Sequence, residues 1–240
     1  GWPLQLAQSD DRQMSADWSP AGDTIVFQQD RAGAEYYDLF TLPPQGGPAI
    51  NLTRTPDYSE TSATWSADGK RLLLSRKKKG EPSTNVAVFD VASRELWPLT
   101  AEKDLNRRWQ PQAWSGDGRY VFATRENFNR TDSDVYRIEV ASGTAVNLTA
   151  HTGNIHHTLG DVTADGGTLL ITSNAKEGFA NLALLNVATK KQTWVTDLRW
   201  AVSAGSFSPD DRHFTYSVNE DGRTQLHLGE RATLKSEILK

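Results

Sequence analysis

The feature that most constrains the fold is an internal repeat. Five short segments open on an aromatic or apolar residue, continue with a hydroxyl residue and end in a tight turn, as in WSADGK. Their first residues lie 45 to 49 positions apart and are Trp18, Trp65, Trp114, Val162 and Phe207. A period of this size indicates that one supersecondary unit is built five times along the chain.

Each repeat contains the patterns of four strands. A short apolar run such as RLLLS or TLLITS follows the turn, and its composition favours a buried strand. The next segment alternates, so that Tyr136, Ile138 and Val140 of DVYRIEV share one face. The last strand ends in INLT, WPLT, VNLT or TWVT. Four-stranded units of about 40 to 50 residues are typical of β-propeller blades, because one sheet must stack on others to bury both faces.

The sequence therefore predicts an all-β fold, a β-propeller of four-stranded antiparallel blades with five blades present. The predicted blades are 8–53, 54–100, 101–149, 150–196 and 197–240, and 1–7 is expected to be an outer strand of a neighbouring blade. Six outer-strand ends accompany five inner sets, at Leu6, Leu52, Leu99, Leu148, Val195 and Leu239. This count favours a piece of a larger propeller. The alternative is a closed five-bladed ring in which the N-terminal strand completes the last blade.

The repeated turn and aromatic residues are interpreted as parts of the fold. Asp-Gly supplies the positive φ of a tight turn, and the Asp side chain can bond backbone two residues on. A calcium site would need a denser set of oxygen ligands. The aromatic residues are expected to pack one blade on the next. These structural residues are Trp18, Trp65, Trp114, Phe207, Asp68, Gly69, Asp117 and Gly118.

Four departures from the repeat are visible: Ala21 at a turn aspartate, Asp211 at a glycine, and Val162 and Phe207 at the tryptophan position. The sequons at Asn51 and Asn147 recur at equivalent strand ends, which indicates a structural role.

Composition excludes several classes of function. The chain has no cysteine, which removes disulfides and thiolate chemistry, and its net charge of −4 gives no footprint for nucleic acid. No apolar run reaches the roughly 20 residues of a membrane span. The basic run at 76–79 is interpreted as a solvated loop tip. The only histidine cluster, His151, His156 and His157, lacks zinc-ligand spacing, so neither a metal nor another cofactor is expected.

Binding residues are expected on the longer loops, which do not repeat, because variable loops on a fixed scaffold usually carry binding. The polar and aromatic candidates on or beside these loops are Glu60, Arg107, Arg108, Trp109, Arg125, His156 and His157. Plain solvation or an ion pair between blades is the alternative for each of them. An open arc of blades would leave an apolar face bare and is expected to self-associate.

The segment WSADGKRLLLS, followed by an alternating strand and an NLT ending, resembles the propeller repeats of TolB and of the prolyl oligopeptidase family of serine peptidases. The resemblance covers nearly the whole chain. The segments GWPLQLAQSDDRQMSADWSPAGDTIVFQQD and NLALLNVATKKQTWVTD are similar to bacterial dipeptidyl and acylaminoacyl peptidase-like members. It implies a seven- or eight-bladed propeller, a periplasmic or secreted location, and an α/β-hydrolase domain in the same parent chain that carries the catalytic triad.

Two functions follow from the resemblance. The first is a non-catalytic propeller domain that gates access and contributes to peptide binding in a peptidase; the chain has no G-x-S-x-G nucleophile elbow, so no catalytic residue is expected in it. The second is a TolB-like protein-protein interaction propeller without a hydrolase. A glycosidase would need two positioned carboxylates, whereas the carboxylates here follow the turns.

Overall fold

The computed structural model describes residues 5–176 and 178–239, and these residues form strands and connections without a helix. No helix that could cross a membrane is therefore found among them. The strands form five four-stranded antiparallel sheets, each a meander in which sequential strands are neighbours. The predicted fold class, an all-β propeller fold of four-stranded blades, is confirmed. By contact density the chain divides into unit 1, Gly1–Pro111, and unit 2, Gln112–Lys240.

Unit 1 contains two complete sheets and the first residues, 107–111, of the strand that opens sheet 3. Sheet 1 consists of β1 (Gln13–Trp18), β2 (Ile25–Asp30), β3 (Tyr37–Leu42) and β4 (Ile50–Asn51). Sheet 2 consists of β5 (Tyr58–Trp65), β6 (Arg71–Lys78), β7 (Thr84–Asp90) and β8 (Leu96–Pro98). The outer strand predicted for residues 1–7 stays a prediction, because residues 1–4 lie outside the described residues and 5–7 are not assigned to a strand.

Unit 2 contains sheets 4 and 5 and most of sheet 3. Sheet 3 consists of β9 (Arg107–Trp114), β10 (Tyr120–Asn127), β11 (Ser133–Glu139) and β12 (Ala145–Asn147). Sheet 4 consists of β13 (His157–Val162), β14 (Thr168–Ser173), β15 (Asn181–Asn186) and β16 (Gln192–Trp194). Sheet 5 consists of β17 (Ala201–Phe207), β18 (His213–Glu220), β19 (Arg223–Glu230) and β20 (Ser236–Ile238).

The turn between the first two strands of a sheet is closed by a hydroxyl and a carboxylate. In sheet 2 the Ser66 hydroxyl donates to Asp68 Oδ1 at 2.6 Å, and the Lys70 N–H donates to the same oxygen at 3.1 Å. Gly69 then has φ +69°, which glycine adopts without strain. Ser115 and Asp117 are bonded in the same way at 2.6 Å.

The two irregular turns keep this arrangement by different means. Where Ala21 replaces the aspartate, Ser19 donates to Asp23 Oδ1 at 2.8 Å. Where Asp211 replaces the glycine, it adopts φ +58°, and its carboxylate accepts the Ala164 N–H at 3.0 Å. Asp211 therefore ties the sheet 5 turn to the sheet 4 turn.

The threonine that closes the endings INLT, WPLT, VNLT and TWVT joins the fourth strand of a sheet to its third. Thr100 Oγ1 accepts the Val86 N–H at 2.9 Å and donates to Asn85 Oδ1 at 3.1 Å. Thr196 makes the corresponding bonds to the Leu182 N–H and to Asn181 Oδ1, both at 2.8 Å. Thr53 and Thr149 repeat the pattern. The recurrence of the motif is therefore explained by backbone bonding inside each sheet.

Apolar side chains join neighbouring sheets within each unit. In unit 1, Trp65 and residues of β6 and β7 pack against Val26, Leu39 and Leu52 of sheet 1. In unit 2, one cluster joins sheets 3 and 4 and another joins sheets 4 and 5. Trp65 and Trp114 are buried.

Trp18 differs from the core position predicted for it, since 53% of its surface is exposed. It lies on the side of sheet 1 that corresponds to the Trp65 side of sheet 2, but no sheet of the described residues packs there in unit 1.

Candidate functional site

One position of the repeat lies at the same place in each sheet but is occupied by a chemically different side chain each time. It lies five residues before the repeated aromatic, at the loop-bearing start of the first strand of each sheet, and is occupied by Gln13, Glu60, Trp109, His157 and Val202. Glu60, Trp109, His157 and Val202 are buried. Structural packing alone would favour similar residues at equivalent positions. The variation therefore shows that the sheets differ at the starts of their first strands, beside the longer loops.

Glu60 is completely buried in unit 1 and is held by neighbours in the same unit. Thr55 Oγ1 donates to its carboxylate at 2.6 Å, and Arg76 Nε donates at 3.2 Å. Burial raises the pKa of Glu60, and the bonds from Thr55 and Arg76 offset only part of that increase. The Arg76 guanidinium lies 3.5 Å from the centre of the Tyr58 ring. Glu60 is therefore closed off by this network, and its ion pair with Arg76 lies within one sheet.

The start of β9 presents arginines on a fixed backbone. The Ser83 hydroxyl donates to the Arg107 carbonyl, and the Thr84 hydroxyl donates to the Trp109 carbonyl, both at 2.7 Å. Arg107 Nε lies 3.9 Å from Asp104 Oδ2. Arg107 and Arg108 are half-buried, whereas Trp109 is buried. Of these three candidates, only the two arginines therefore have surface that a binding partner could contact.

Unit 2 contains a group that we call the histidine–carboxylate cluster: Glu126, Asp132, Asp134, His151, His156 and His157. His151 Nε2 lies 2.8 Å from Asp132 Oδ1. His151 Nδ1 lies 2.9 Å from the Thr149 carbonyl and 3.2 Å from Asp134 Oδ1. These partners of both ring nitrogens are oxygen acceptors, so the arrangement suits the doubly protonated ring.

The electrostatics of His151 agree with this geometry. Burial by itself lowers the pKa of His151. The bonds to the Thr149 carbonyl and to Asp132, together with the charges of Asp134 and Asp132, outweigh that effect and raise the pKa above its ordinary value. His151 therefore links the loop before β11 to the loop before β13 as a cation between carboxylates.

His157 is the buried member of the cluster, with its ring centre 5.2 Å from that of His151. Burial lowers the pKa of His157, so its ring is neutral beside the His151 cation. The backbone N–H of His157 donates to Ser133 Oγ, whose hydroxyl donates to the His157 carbonyl, each at 2.7 Å. Ser133 is thus engaged with backbone groups. The cluster joins strands, and its geometry is not that of a serine nucleophile and its base.

His156 and Arg125 are the half-buried candidates of unit 2. The backbone N–H of His156 donates to Asn174 Oδ1 at 2.8 Å, and the ring Nε2 lies 3.7 Å from Glu126 Oε2. This nitrogen makes no hydrogen bond within residues 5–176 and 178–239. Arg125 contacts Tyr136, whose pKa is raised by burial against the opposing effect of that arginine.

Sequence reasoning found the histidines but not the carboxylates around them. Asp134 occupies the position before the apolar run of the third strand, which is Asp38, Asn85 and Asn181 in other sheets. His151 follows the NLT threonine by two residues. These equivalent positions in the repeats are the sequence signal from which Asp134 and His151 could have been paired. Over the described part of the chain, no group of three or more acidic or histidine side chains is placed to hold a metal ion.

Comparison of the whole chain with solved structures finds the same fold in proteins of different function, among them TolB, peptidases and an oligogalacturonate lyase. TolB from Acinetobacter baumannii aligns over 96% of this chain and 55% of its own, with 18% identity and a TM-score of 0.65. Dipeptidyl peptidase 4 from Porphyromonas gingivalis aligns over 98% and 40%, with 15% identity and a TM-score of 0.68. Prolyl oligopeptidase B from Galerina marginata aligns over 96% and 35%, with 12% identity and a TM-score of 0.73.

No protein-family model and no curated protein sequence matches this chain. The chain spans about half the length of the TolB structure and little more than a third of the two peptidases. At these identities the similarity establishes the fold alone. The chain therefore has the propeller fold shared by TolB and by prolyl oligopeptidase-family peptidases, as the repeat predicted.

Proposed function

We propose that this chain is a non-catalytic β-propeller domain that binds extended peptides on its loop-bearing side, as part of a prolyl oligopeptidase-family serine peptidase. In this role it gates access of peptides to an α/β-hydrolase domain of the same parent chain, in the periplasm or outside the cell. The observation that carries the proposal is the variable position at the strand starts, beside which Arg108 and His156 are half-buried.

The chemistry of these positions suits a peptide. Arginine guanidinium groups bind carboxylates, including a peptide carboxyl terminus, through paired N–H groups. In unit 2, His156 offers a ring nitrogen, and the Glu126 carboxylate 3.7 Å away can attract an ammonium group. The hydrogen bonds from Ser83 and Thr84 to β9 and from Ser133 to β13 hold the backbone on which these side chains stand. A rigid backbone lowers the entropic cost of binding.

The experiment is a titration of the purified chain with unstructured peptides of increasing length, followed by nuclear magnetic resonance of backbone amides. We expect perturbed amides at the starts of β9 and β13, and weaker binding by Arg108→Ala and His156→Ala. Lys70→Ala, in an exposed short turn, is the matched control and should bind like the wild type. Perturbations confined to the short turns would contradict the proposal.

The alternative, a TolB-like interaction propeller without a hydrolase, is supported by the TolB similarity. The same titration separates the two functions, because a peptidase gate binds short peptides whereas an interaction propeller requires a larger partner surface. A fluorophosphonate probe should leave the chain unlabelled under either. Serine labelling would show that the chain itself is catalytic.

A further inference from the structure

The dipeptide Asp-Gly occurs four times in the chain, and one copy lies outside the repeated turn. Three copies, at Asp68, Asp117 and Asp165, belong to the short turns between the first two strands of sheets 2, 3 and 4. The fourth, Asp221-Gly222, connects β18 to β19 on the opposite, loop-bearing side of sheet 5. The same covalent unit therefore occurs in two different surroundings.

An Asp-Gly unit can rearrange its own backbone. The glycine nitrogen attacks the carboxyl carbon of the aspartate side chain, and the carboxyl hydroxyl leaves with the N–H proton as water. The product is a five-membered succinimide ring, and addition of water to one or the other of its carbonyl groups gives aspartate or isoaspartate. The net change is an isomerisation that consumes no other reactant. It requires a protonated carboxyl group, because an oxide ion is a poor leaving group, and a glycine nitrogen that can reach the carboxyl carbon.

The repeated turn engages both of the reacting groups. In sheet 3 the Ser115 hydroxyl donates to Asp117 Oδ1 at 2.6 Å, and the Arg119 N–H donates to the same oxygen at 3.0 Å. The Gly118 N–H donates to the Ser115 carbonyl at 2.8 Å. Ser115 is itself buried. The attack at this site therefore requires that the carboxylate and the nitrogen first leave these bonds.

The turns of sheets 4 and 2 are bonded in the same way. In sheet 4 the Thr163 hydroxyl donates to Asp165 Oδ1 at 2.6 Å, and the Gly166 N–H donates to the Thr163 carbonyl at 2.8 Å. Sheet 2 has the same hydroxyl bond, from Ser66 to Asp68. This hydroxyl bond lowers the pKa of the aspartate in each of the three turns, so the carboxylate stays ionised near neutral pH and resists attack.

Asp221-Gly222 has a different turn without these bonds. Asp221 has φ +48° and Gly222 has φ +79°, and Glu220 pairs with Arg223, which is the pattern of a two-residue type I′ hairpin. Asn219 occupies the position that a serine or threonine has in the repeated turns. Within residues 5–176 and 178–239, the Asp221 carboxylate accepts no hydrogen bond and the Gly222 N–H donates none.

The tip of this hairpin is also exposed. Residues 219–224 are all exposed, whereas the hydroxyl residues of the three repeated Asp-Gly turns are buried. Exposure is usual for this connection, because sheet 4, which packs against sheets 3 and 5, has exposed residues there at 175–176 and 178–179. A hairpin tip with few buried contacts opens locally while the rest of the sheet stays folded. Such opening gives the Gly222 nitrogen access to the Asp221 carboxyl group.

We infer that Asp221 is a site of spontaneous isoaspartate formation in the folded chain, and that the repeated turns protect the other three Asp-Gly units. The inference does not depend on the proposed function. Isoaspartate adds one methylene group to the main chain and turns the α-carboxyl group into the side chain, so the two-residue turn loses its geometry. Ageing of the protein therefore alters the loop-bearing end of β18 and β19 and leaves the short turns unchanged.

Incubation of the purified chain at neutral pH in water labelled with heavy oxygen tests the inference. Each opening of the ring adds one labelled oxygen atom, and peptide mapping by mass spectrometry locates the label and the isoaspartate. Both should accumulate at Asp221 at least about tenfold faster than at the other three units, because several hydrogen bonds must break first in those turns. In the denatured chain the four rates should become similar.

Equal rates at the four units of the folded chain would overturn the inference. So would an Asp221 that remains unlabelled in the folded chain over a period in which the denatured chain is labelled at all four units.

Two variants test the protection itself. Thr163→Val removes the hydroxyl but keeps the shape of the side chain, and should raise the rate at Asp165 several-fold while the rate at Asp221 stays the same. Thr189→Val, in a neighbouring exposed turn, is the matched control and should change neither rate. Circular dichroism establishes that each variant is folded. An unchanged rate at Asp165 in the folded Thr163→Val chain would contradict protection by the hydroxyl bond.

Discussion

Trp18 and Trp65 are the same residue at the same place in two successive repeats, yet their surroundings differ. Trp65 is 8% exposed and lies among Val26, Leu39 and Leu52, whereas Trp18 has no sheet of unit 1 against it. Each tryptophan belongs to one sheet, but its cover comes from another. The comparison teaches that the repeat determines which side chains a sheet presents. The neighbouring sheets determine how far those side chains are buried and how much they stabilise the fold.

The largest expected effect is on the two tryptophans themselves. Trp65→Ala should lower the free energy of unfolding by about 3 to 5 kcal/mol, because it removes a buried aromatic and leaves a cavity. Trp18→Ala should cost less than about 1 kcal/mol in dilute solution, since most of its surface already meets water. Urea unfolding followed by circular dichroism measures both. Equal losses would remove the distinction between the two positions.

Ion pairs extend the comparison to charged groups. Arg76→Ala should cost about 3 kcal/mol, because Glu60 is completely buried and would lose its cation. The exposed pair of Lys176 and Asp197, 3.0 Å apart, is the control, and Lys176→Ala should cost less than about 1 kcal/mol. Chemical denaturation of both variants gives the values. If Lys176→Ala lost as much stability as Arg76→Ala, burial would not determine what an ion pair contributes.

The histidine–carboxylate cluster predicts a dependence on pH. The pKa of His151 is raised in the folded chain, so its contribution to stability is fully present below the unfolded pKa and is lost as pH rises through the folded pKa. His151→Gln should therefore be less stable than the wild type at acidic pH, by about 1 to 2 kcal/mol, and closer to it at alkaline pH.

His157 has the opposite sign, because its lowered pKa means that stability is lost when acid forces a proton onto the buried ring. Melting of wild type and His151→Gln across pH separates the two histidines. If the difference between the two proteins grew with increasing pH, the cationic assignment of His151 would be wrong.

The smallest effect concerns the threonines that follow the fourth strands of sheets 1 to 4. Thr100→Val keeps the shape of the side chain but removes the bonds to the Val86 N–H and Asn85, and should cost about 1 kcal/mol. Thr189→Val, in an exposed turn, is the control and should change stability by less than about 0.5 kcal/mol. Thermal melting compares them. Identical melting temperatures would show that the hydrogen bonds of the half-buried Thr100 add nothing beyond those of a threonine in an exposed turn.

Sequence patterns predicted the fold because its determinants are local. Strand alternation, the Asp-Gly turn at Asp68 and the NLT ending each act within one sheet, and each can be recognised within a few residues. The exposure of Trp18 could not be predicted in this way, since it depends on what packs from outside sheet 1. The burial of Glu60 was missed for a related reason, because Thr55 and Arg76 surround it only after β5 and β6 have paired.

The candidate site was predicted only in part. The loops near Arg108 and His156 were identified from their irregularity, which is a property of the sequence. The cluster around His151 joins residues 17 and 19 positions apart through the register of neighbouring loops. A pattern search that treats each loop separately cannot find such a pair, although aligning the repeats brings the positions together.

In sheets 1 to 4 a threonine fastens the fourth strand to the third, so each of these sheets is complete in its own backbone bonding. No strand from another sheet is needed for this bonding. Duplication or loss of one four-stranded sheet therefore leaves the hydrogen bonding of the other sheets intact. Evolution can therefore change the number of units in such a gene by recombination at the connecting loops. After such a change, only the apolar faces of the two sheets that become neighbours need to match.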